Sequence, residues 1–268
     1  YENPKNKEAL WQGRIILATA GIESPAFVDV DGDGKKDIIC NDIILKQVIW
    51  LKSPSVNNDT SWQRFVISSD PGIGTNRYTH GLGWGDINKD GRNDVIIKTG
   101  WWESPHTVTN PDWKFHPASL GDDCSNMFVL DADEDGDADV VSSSAHKYGI
   151  WWYEQTSNGW ITHEISKLFS QSHALALKDI NGDGHPDLIS GKRYLAHIEG
   201  DPGTHDPSVL YWFEFAPGQN PQWIPHQVDD NSGVGNNFQV EDINGDDRMD
   251  IIVSNKKGVF VFEQVKNR

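Results

Sequence analysis

The stretch Phe27-Val28-Asp29-Val30-Asp31-Gly32-Asp33-Gly34-Lys35-Lys36-Asp37-Ile38-Ile39-Cys40 decides the fold. Its centre is a nine-residue pattern, D-x-[D/N]-x-D-G-x-x-D, set between an apolar stretch and a β-branched one. After Asp29-Asp31-Asp33-Asp37 the pattern returns four times, at Asp86-Asn88-Asp90-Asp94, Asp131-Asp133-Asp135-Asp139, Asp179-Asn181-Asp183-Asp187 and Asp242-Asn244-Asp246-Asp250. Carboxylates at alternate positions repel one another unless a hard cation joins them. The sixth-place glycine (Gly34, Gly91, Gly136, Gly184) supplies the tight turn that wraps oxygens around Ca²⁺. The pattern therefore predicts five calcium loops. The fifth carries Asp247 in the glycine position, which predicts a more strained turn. An EF-hand needs a bidentate Glu at the end of its loop and flanking amphipathic helices, and neither is present.

Loop starts are separated by 57, 45, 48 and 63 residues, a spacing that belongs to propeller arrays. After each loop comes a β-branched strand, then an aromatic strand such as Trp151-Trp152-Tyr153-Glu154, then a strand opened by Trp62, Trp113, Trp160 or Trp223. The last unit ends at Arg268 without such a fourth strand, while Trp11 and Arg14-Ile15-Ile16-Leu17 stand unclaimed at the start. The expected architecture is all-β: a five-bladed β-propeller, one domain over 1–268, with its last blade closed by the N-terminal strand. Closure of that kind removes exposed sheet edges. The tryptophans of the third and fourth strands are expected to pack between blades.

The formal charge of −17 is less extreme than it looks, because 17 of the 40 acidic residues are loop positions that calcium would neutralise. Such a surface disfavours nucleic acid as a partner. No apolar run is long enough to span a membrane. The polar start from Tyr1 to Lys7 reads as a trimmed end from which a targeting segment has been removed. Dense calcium sites suit compartments of high free Ca²⁺, so a secreted, periplasmic or cell-surface monomer is expected. Cys40 and Cys124 are expected to remain thiols rather than form a disulfide.

Each blade enters its first strand from the axis, so the residue six places before each loop should line one mouth of the tunnel. These are Glu23, His80, Ser125, His173 and Asn236. Glu23, His80 and His173 form a plausible ligand set for a divalent transition metal such as Zn²⁺ or Mn²⁺, with positions left for a substrate oxygen. The loops leaving the second strands should open on the same face. They bring His146, Lys192 and Tyr194 as candidate catalytic groups and Lys98, Arg193 and Lys256 as candidate substrate contacts. Blade four carries the longest insertion, Tyr194 to Ser208, with His197, Glu199, Asp201, His205 and Asp206; His205 and Asn236 complete the expected substrate contacts. A lectin would repeat its sugar site blade by blade, whereas these mouth residues differ in every blade, which suits an enzyme.

The loops, and phrases such as Lys178-Asp179-Ile180-Asn181-Gly182-Asp183-Gly184, resemble the FG-GAP/VCBS repeat family over essentially the whole chain. That family includes integrin heads, lectins, polysaccharide lyases and binding modules, so the resemblance fixes fold and leaves function open. A narrower likeness lies in His80-Gly81-Leu82-Gly83-Trp84-Gly85-Asp86, Gly100-Trp101-Trp102-Glu103, Gly191-Lys192-Arg193-Tyr194 and His205-Asp206-Pro207. These look like the propeller domain of aldos-2-ulose dehydratases, which remove water from keto-sugars with the help of a bound metal. The chain lacks the cupin and lectin-like modules of those enzymes, and its propeller is smaller. The resemblance implies a carbohydrate-active lyase that performs metal-assisted β-elimination on a keto-sugar or keto-glycoside. In it His146 is the base and Lys192 or Tyr194 the proton donor. The alternative is a non-catalytic, lectin-like or adhesive propeller.

Overall fold

The computed structural model describes residue 5 and residues 8–55, 61–124, 126–197 and 199–266. Among them the regular structure is entirely strand, arranged in five antiparallel sheets whose strands follow one another in chain order. The first blade holds β1 (Ala26–Val28), β2 (Asp37–Asp42), β3 (Gln47–Lys52) and β4 (Gln63–Ser68). The second holds β5 (Gly83–Gly85), β6 (Asp94–Ile97), β7 (Gly100–Glu103) and β8 (Lys114–Pro117). The third holds β9 (Phe128–Leu130), β10 (Asp139–Ser143), β11 (Tyr148–Thr156) and β12 (Gly159–Ser170). The fourth holds β13 (Leu175–Lys178), β14 (Asp187–Gly191), β15 (Leu210–Ala216) and β16 (Gln222–Asp229). The fifth has three strands, β17 (Phe238–Glu241), β18 (Asp250–Asn255) and β19 (Gly258–Phe262). The molecule is a five-bladed β-propeller, and among the described residues no helix is long and apolar enough to cross a membrane.

Burial explains the sequence of each blade. The second strands β6, β10 and β14 are buried at every position, because neighbouring blades cover both faces, and they read as continuous β-branched runs. The outer strand β16 has only exposed and half-buried residues. Hydrophobic clusters lie between blades. Trp50, Ile67, Val95 and Trp102 join blades one and two; Ile96, Met127, Val140 and Tyr153 join two and three; Val141, Trp152, Leu188 and Phe213 join three and four; Ile189, Leu210, Val240 and Val253 join four and five. Trp50, Trp102, Trp113 and Trp152 are core residues, as expected.

The ninth residue of each loop ties its blade together. Asp37, Asp94, Asp139, Asp187 and Asp250 are fully buried. In each, one carboxylate oxygen accepts the N–H of the second loop residue, at 3.0–3.2 Å, and the other accepts an N–H from the end of the third strand, at 2.8–2.9 Å. Burial pushes Asp94 up to about 7 and Asp139 up to about 6.

The seam between blades five and one differs from expectation. Arg14–Leu17 forms no strand. Leu17 instead packs beside Cys40, Ile49 and Leu51 of blade one, and the Ile43 N–H donates to Thr19 O at 3.0 Å. The β19 edge is left with Val259 and Val261 exposed.

Candidate functional site

Three chain segments that lead into first strands bring Glu23, His80 and His173 to one point. Glu23 N–H donates to Thr79 O at 3.0 Å, and His173 N–H to Gln171 O at 2.7 Å, so the backbones of the entry segments are fixed. Glu23 Oε2 lies 3.4 Å from His80 Nε2 and 3.3 Å from His173 Nε2. The three ligand atoms all fall within 4.8 Å of one another. A tetrahedral zinc with bonds of about 2.0–2.1 Å has ligand atoms about 3.3–3.4 Å apart, so the two carboxylate–imidazole spacings fit such an ion.

Burial decides the charge state. His173 is wholly buried, and desolvation, helped by Arg193 and the neighbouring imidazoles, pushes it down to about 3. Burial also lowers His80, against the pull of Glu23. Both rings are thus neutral near pH 7, the form that ligates metal.

His146, on the loop after β10, joins the cluster. Its Nε2 is 3.2 Å from His80 Nε2, and its Nδ1 is 3.3 Å from Asp201 Oδ2. Asp201 also takes His197 Nδ1 at 2.9 Å, so one carboxylate of the blade-four insertion aligns two imidazoles. When Asp201 accepts the Nδ1–H of His146, the Nε2 of that ring presents its lone pair. A lone pair 3.2 Å from a second imidazole nitrogen calls for a proton or a metal ion between them.

The other expected residues fall into two groups. Arg193 lies near Glu23 and Asp201, whose charges partly offset the lowering of its pKa by burial. Asn236 and Glu23 line one cavity of about 410 Å³. His80 and Lys98 line another, of about 380 Å³, with Arg77, Tyr78 and Asp123. Lys192, expected as a proton donor, is placed elsewhere. It is fully buried, its Nζ donates to Thr204 O at 3.1 Å, and burial lowers its pKa, so it anchors the insertion. Tyr194 lies under Lys257 Nζ, 4.6 Å from the ring centre. Lys256 Nζ donates to Leu195 O, and His205 is an exposed residue of the insertion. Ser125 lies outside the described residues. Asp201 as the partner of His146, 55 residues away in sequence, had no signal beyond its place in a long insertion. Asp123, paired with Lys98, had none.

The acidic loops differ in how their charge is met. At the glycine position φ is 85°, 87°, 98° and 93° in the first four loops, and Asp247 adopts 63°, the strained turn expected. Lys52 reaches both Asp31 and Asp33, Arg92 reaches Asp90, and Arg248 reaches Asp246. In the third loop Asp131, Asp133 and Asp139 offer oxygens within 4.8 Å of one another, and Asp131 Oδ1 is buried without a hydrogen bond. Burial, with Asp135 and Glu154 nearby, raises Asp133.

Residues 131–190, from the third loop to the second strand of blade four, match the family model of the FG-GAP-like repeat. No curated protein sequence matches the chain. Among 62 solved chains of similar structure is AofleA from Arthrobotrys oligospora, at 10% identity and a TM-score of 0.41. The alignment covers 85% of this chain and 65% of that one, so the chain spans just under two thirds of its length. The chain is thus similar to FG-GAP-like repeat proteins, in a propeller of five blades.

Proposed function

We propose that the propeller is a carbohydrate-active lyase that performs metal-assisted β-elimination on a keto-sugar or keto-glycoside at the axial mouth. The observation that carries this reading is the meeting of Glu23, His80 and His173 beside His146, four groups from four blades with different chemical parts to play. Glu23, His80 and His173 would hold Zn²⁺ or Mn²⁺, which supplies Lewis acidity at a substrate oxygen when bound. His146, aligned by Asp201, removes the proton α to the ketone through Nε2. Tyr194 takes the donor role, since Lys192 is committed to the insertion. The 380 Å³ cavity beside His80 has room for a sugar ring, with Lys98 and Asp123 on its wall. The elimination forms an enone and releases water or an alcohol. Metal-replete protein should generate near-ultraviolet enone absorbance from keto-glycosides and none from unoxidised glycosides. Full activity in His80→Ala and His173→Ala variants would remove this mechanism.

Two structural expectations accompany this reading. Calcium fills the acidic loops, most readily the third, where Asp131, Asp133 and Asp139 converge and Asp131 Oδ1 is buried without a hydrogen bond although Lys89 pairs with the other oxygen, and such loops suit a compartment outside the cytoplasm. Arg14–Leu17 closes the fifth blade in solution, since among the described residues no strand pairs with the outer edge of β19, and Ile15 is 85% exposed.

One observation favours the lectin-like alternative. A Trp, a His and a Glu recur on the outer strands of blades two, three and four: Trp101 stacks on His116 at 4.0 Å, Trp152 on His163 at 4.2 Å and Trp212 on His226 at 4.3 Å. Each His is paired with Glu103, Glu154 or Glu214. A cavity of about 300 Å³ lies against the blade-three set. Titration that gives several equivalent sugar sites per chain would establish that alternative.

A further inference from the structure

The cations of the exit loops are nearly all engaged. Lys98 pairs with Asp123, Lys147 with Asp122, Lys192 with Thr204 O, Lys256 with Leu195 O and Lys257 with Asn231. Arg193 is different. Its backbone is pinned on both sides, by the N–H bond to Gln171 O at 3.0 Å and by the bridge to Val234 of the next blade. Its guanidinium is half-buried, yet among the described residues it has no hydrogen bond and no ion pair. A guanidinium with five donors and no protein partner, carried on a backbone fixed on both sides, is held ready for a ligand.

The neighbours narrow that partner. Glu23 and Asp201 are the nearby acids, but Glu23 faces the two imidazoles of the candidate metal site and Asp201 is occupied by His146 and His197. A divalent ion on Glu23 and two neutral imidazoles leaves one positive charge, and since the charges of Arg193 and Asp201 cancel, one positive charge remains. The loaded mouth is therefore an anion trap in a chain whose formal charge is −17. A guanidinium fork matches the two oxygens of a carboxylate.

We propose that Arg193 receives the carboxylate of the sugar, so that this site takes a sugar acid rather than a neutral sugar. The inference rests on the metal-site reading above and adds the substrate class. It also gives a reason for the Gly191-Lys192-Arg193-Tyr194 stretch: Lys192 fixes the insertion while its neighbour faces the ligand.

Calorimetric titration of zinc-loaded, calcium-replete protein with D-glucuronate, D-glucose and D-glucose 6-phosphate tests it. Glucuronate should bind about tenfold or more tightly than glucose, the size of one charge-assisted pair. Arg193→Gln should erase that difference with zinc content and melting temperature unchanged, and Arg193→Lys should restore only part of it. Equal binding of acid and neutral sugar, no binding of glucuronate, tighter binding of the phosphate, or an acid preference that survives in Arg193→Gln overturns the proposal. Zinc content measured on the same samples separates the two levels. Zinc bound without acid preference sinks the substrate class alone, and failure to hold zinc sinks the metal site beneath it.

Discussion

His173 shows how one buried ring sets a pH dependence. Its pKa in the folded chain is about 3, against 6.5 for an ordinary histidine, so on acidification the unfolded chain takes up the proton first. Stability from this residue is present above pH 6.5 and is lost as pH falls towards 3. In EDTA, His173→Gln should therefore lose less melting temperature than the wild type between those limits. Parallel curves would contradict the assignment. Asp139 makes the matching point about backbone. Its two oxygens serve the N–H groups of Ala132 and Gln155, so Asp139→Ala leaves both without a partner and should cost about 2–5 kcal/mol in denaturant unfolding. A cost under about 1 kcal/mol would show that water or rearrangement replaces the carboxylate.

The loops and strands were the most legible elements, because each is written locally. The nonapeptide pattern placed all five turns, and the Asp247 strain followed from one missing glycine. What the pattern did not show is which side chains lean into a loop from the next strand. Lys52, from the end of β3, reaches Asp31 and Asp33, and nothing in the repeat marks it. An ammonium there competes with Ca²⁺, so Lys52→Ala should raise the calcium affinity of the first loop by about tenfold, read by calorimetry. An unchanged titration would mean that Lys52 swings clear when calcium binds. Emptying the loops of the wild-type protein with EDTA should lower the melting temperature by about 10 °C or more. Lys192 escaped the sequence reading for a related reason. Its position in an exit loop was correct, but its side chain turned under the insertion, a choice made by Thr204 and not by its sequence neighbours.

At the scale of the molecule, the repeat count gave five blades correctly because periodicity survives insertions. Closure was harder to read, since it depends on two ends 240 residues apart competing for local partners. If Arg14–Leu17 closes the ring in solution, amides of that segment and of β19 should be protected together from hydrogen exchange. Rapid exchange of β19 beside a protected β18 would show an open seam. The mouth was legible as a set of converging residues, since the six-residue offset placed Glu23, His80 and His173 together. Its second layer, from Asp201 to His146 and Arg193, arises from contacts between blades that no local pattern encodes. The central claim is that this meeting point is a transition-metal site. X-ray absorption at the zinc edge, on calcium-replete protein loaded with one equivalent of Zn²⁺, tests it most directly. The account predicts two imidazole nitrogens and carboxylate oxygen at about 2.0–2.1 Å, lost in the double variant His80→Gln/His173→Gln. A first shell made only of oxygen, unchanged in that variant, would place the zinc in the acidic loops and contradict the account.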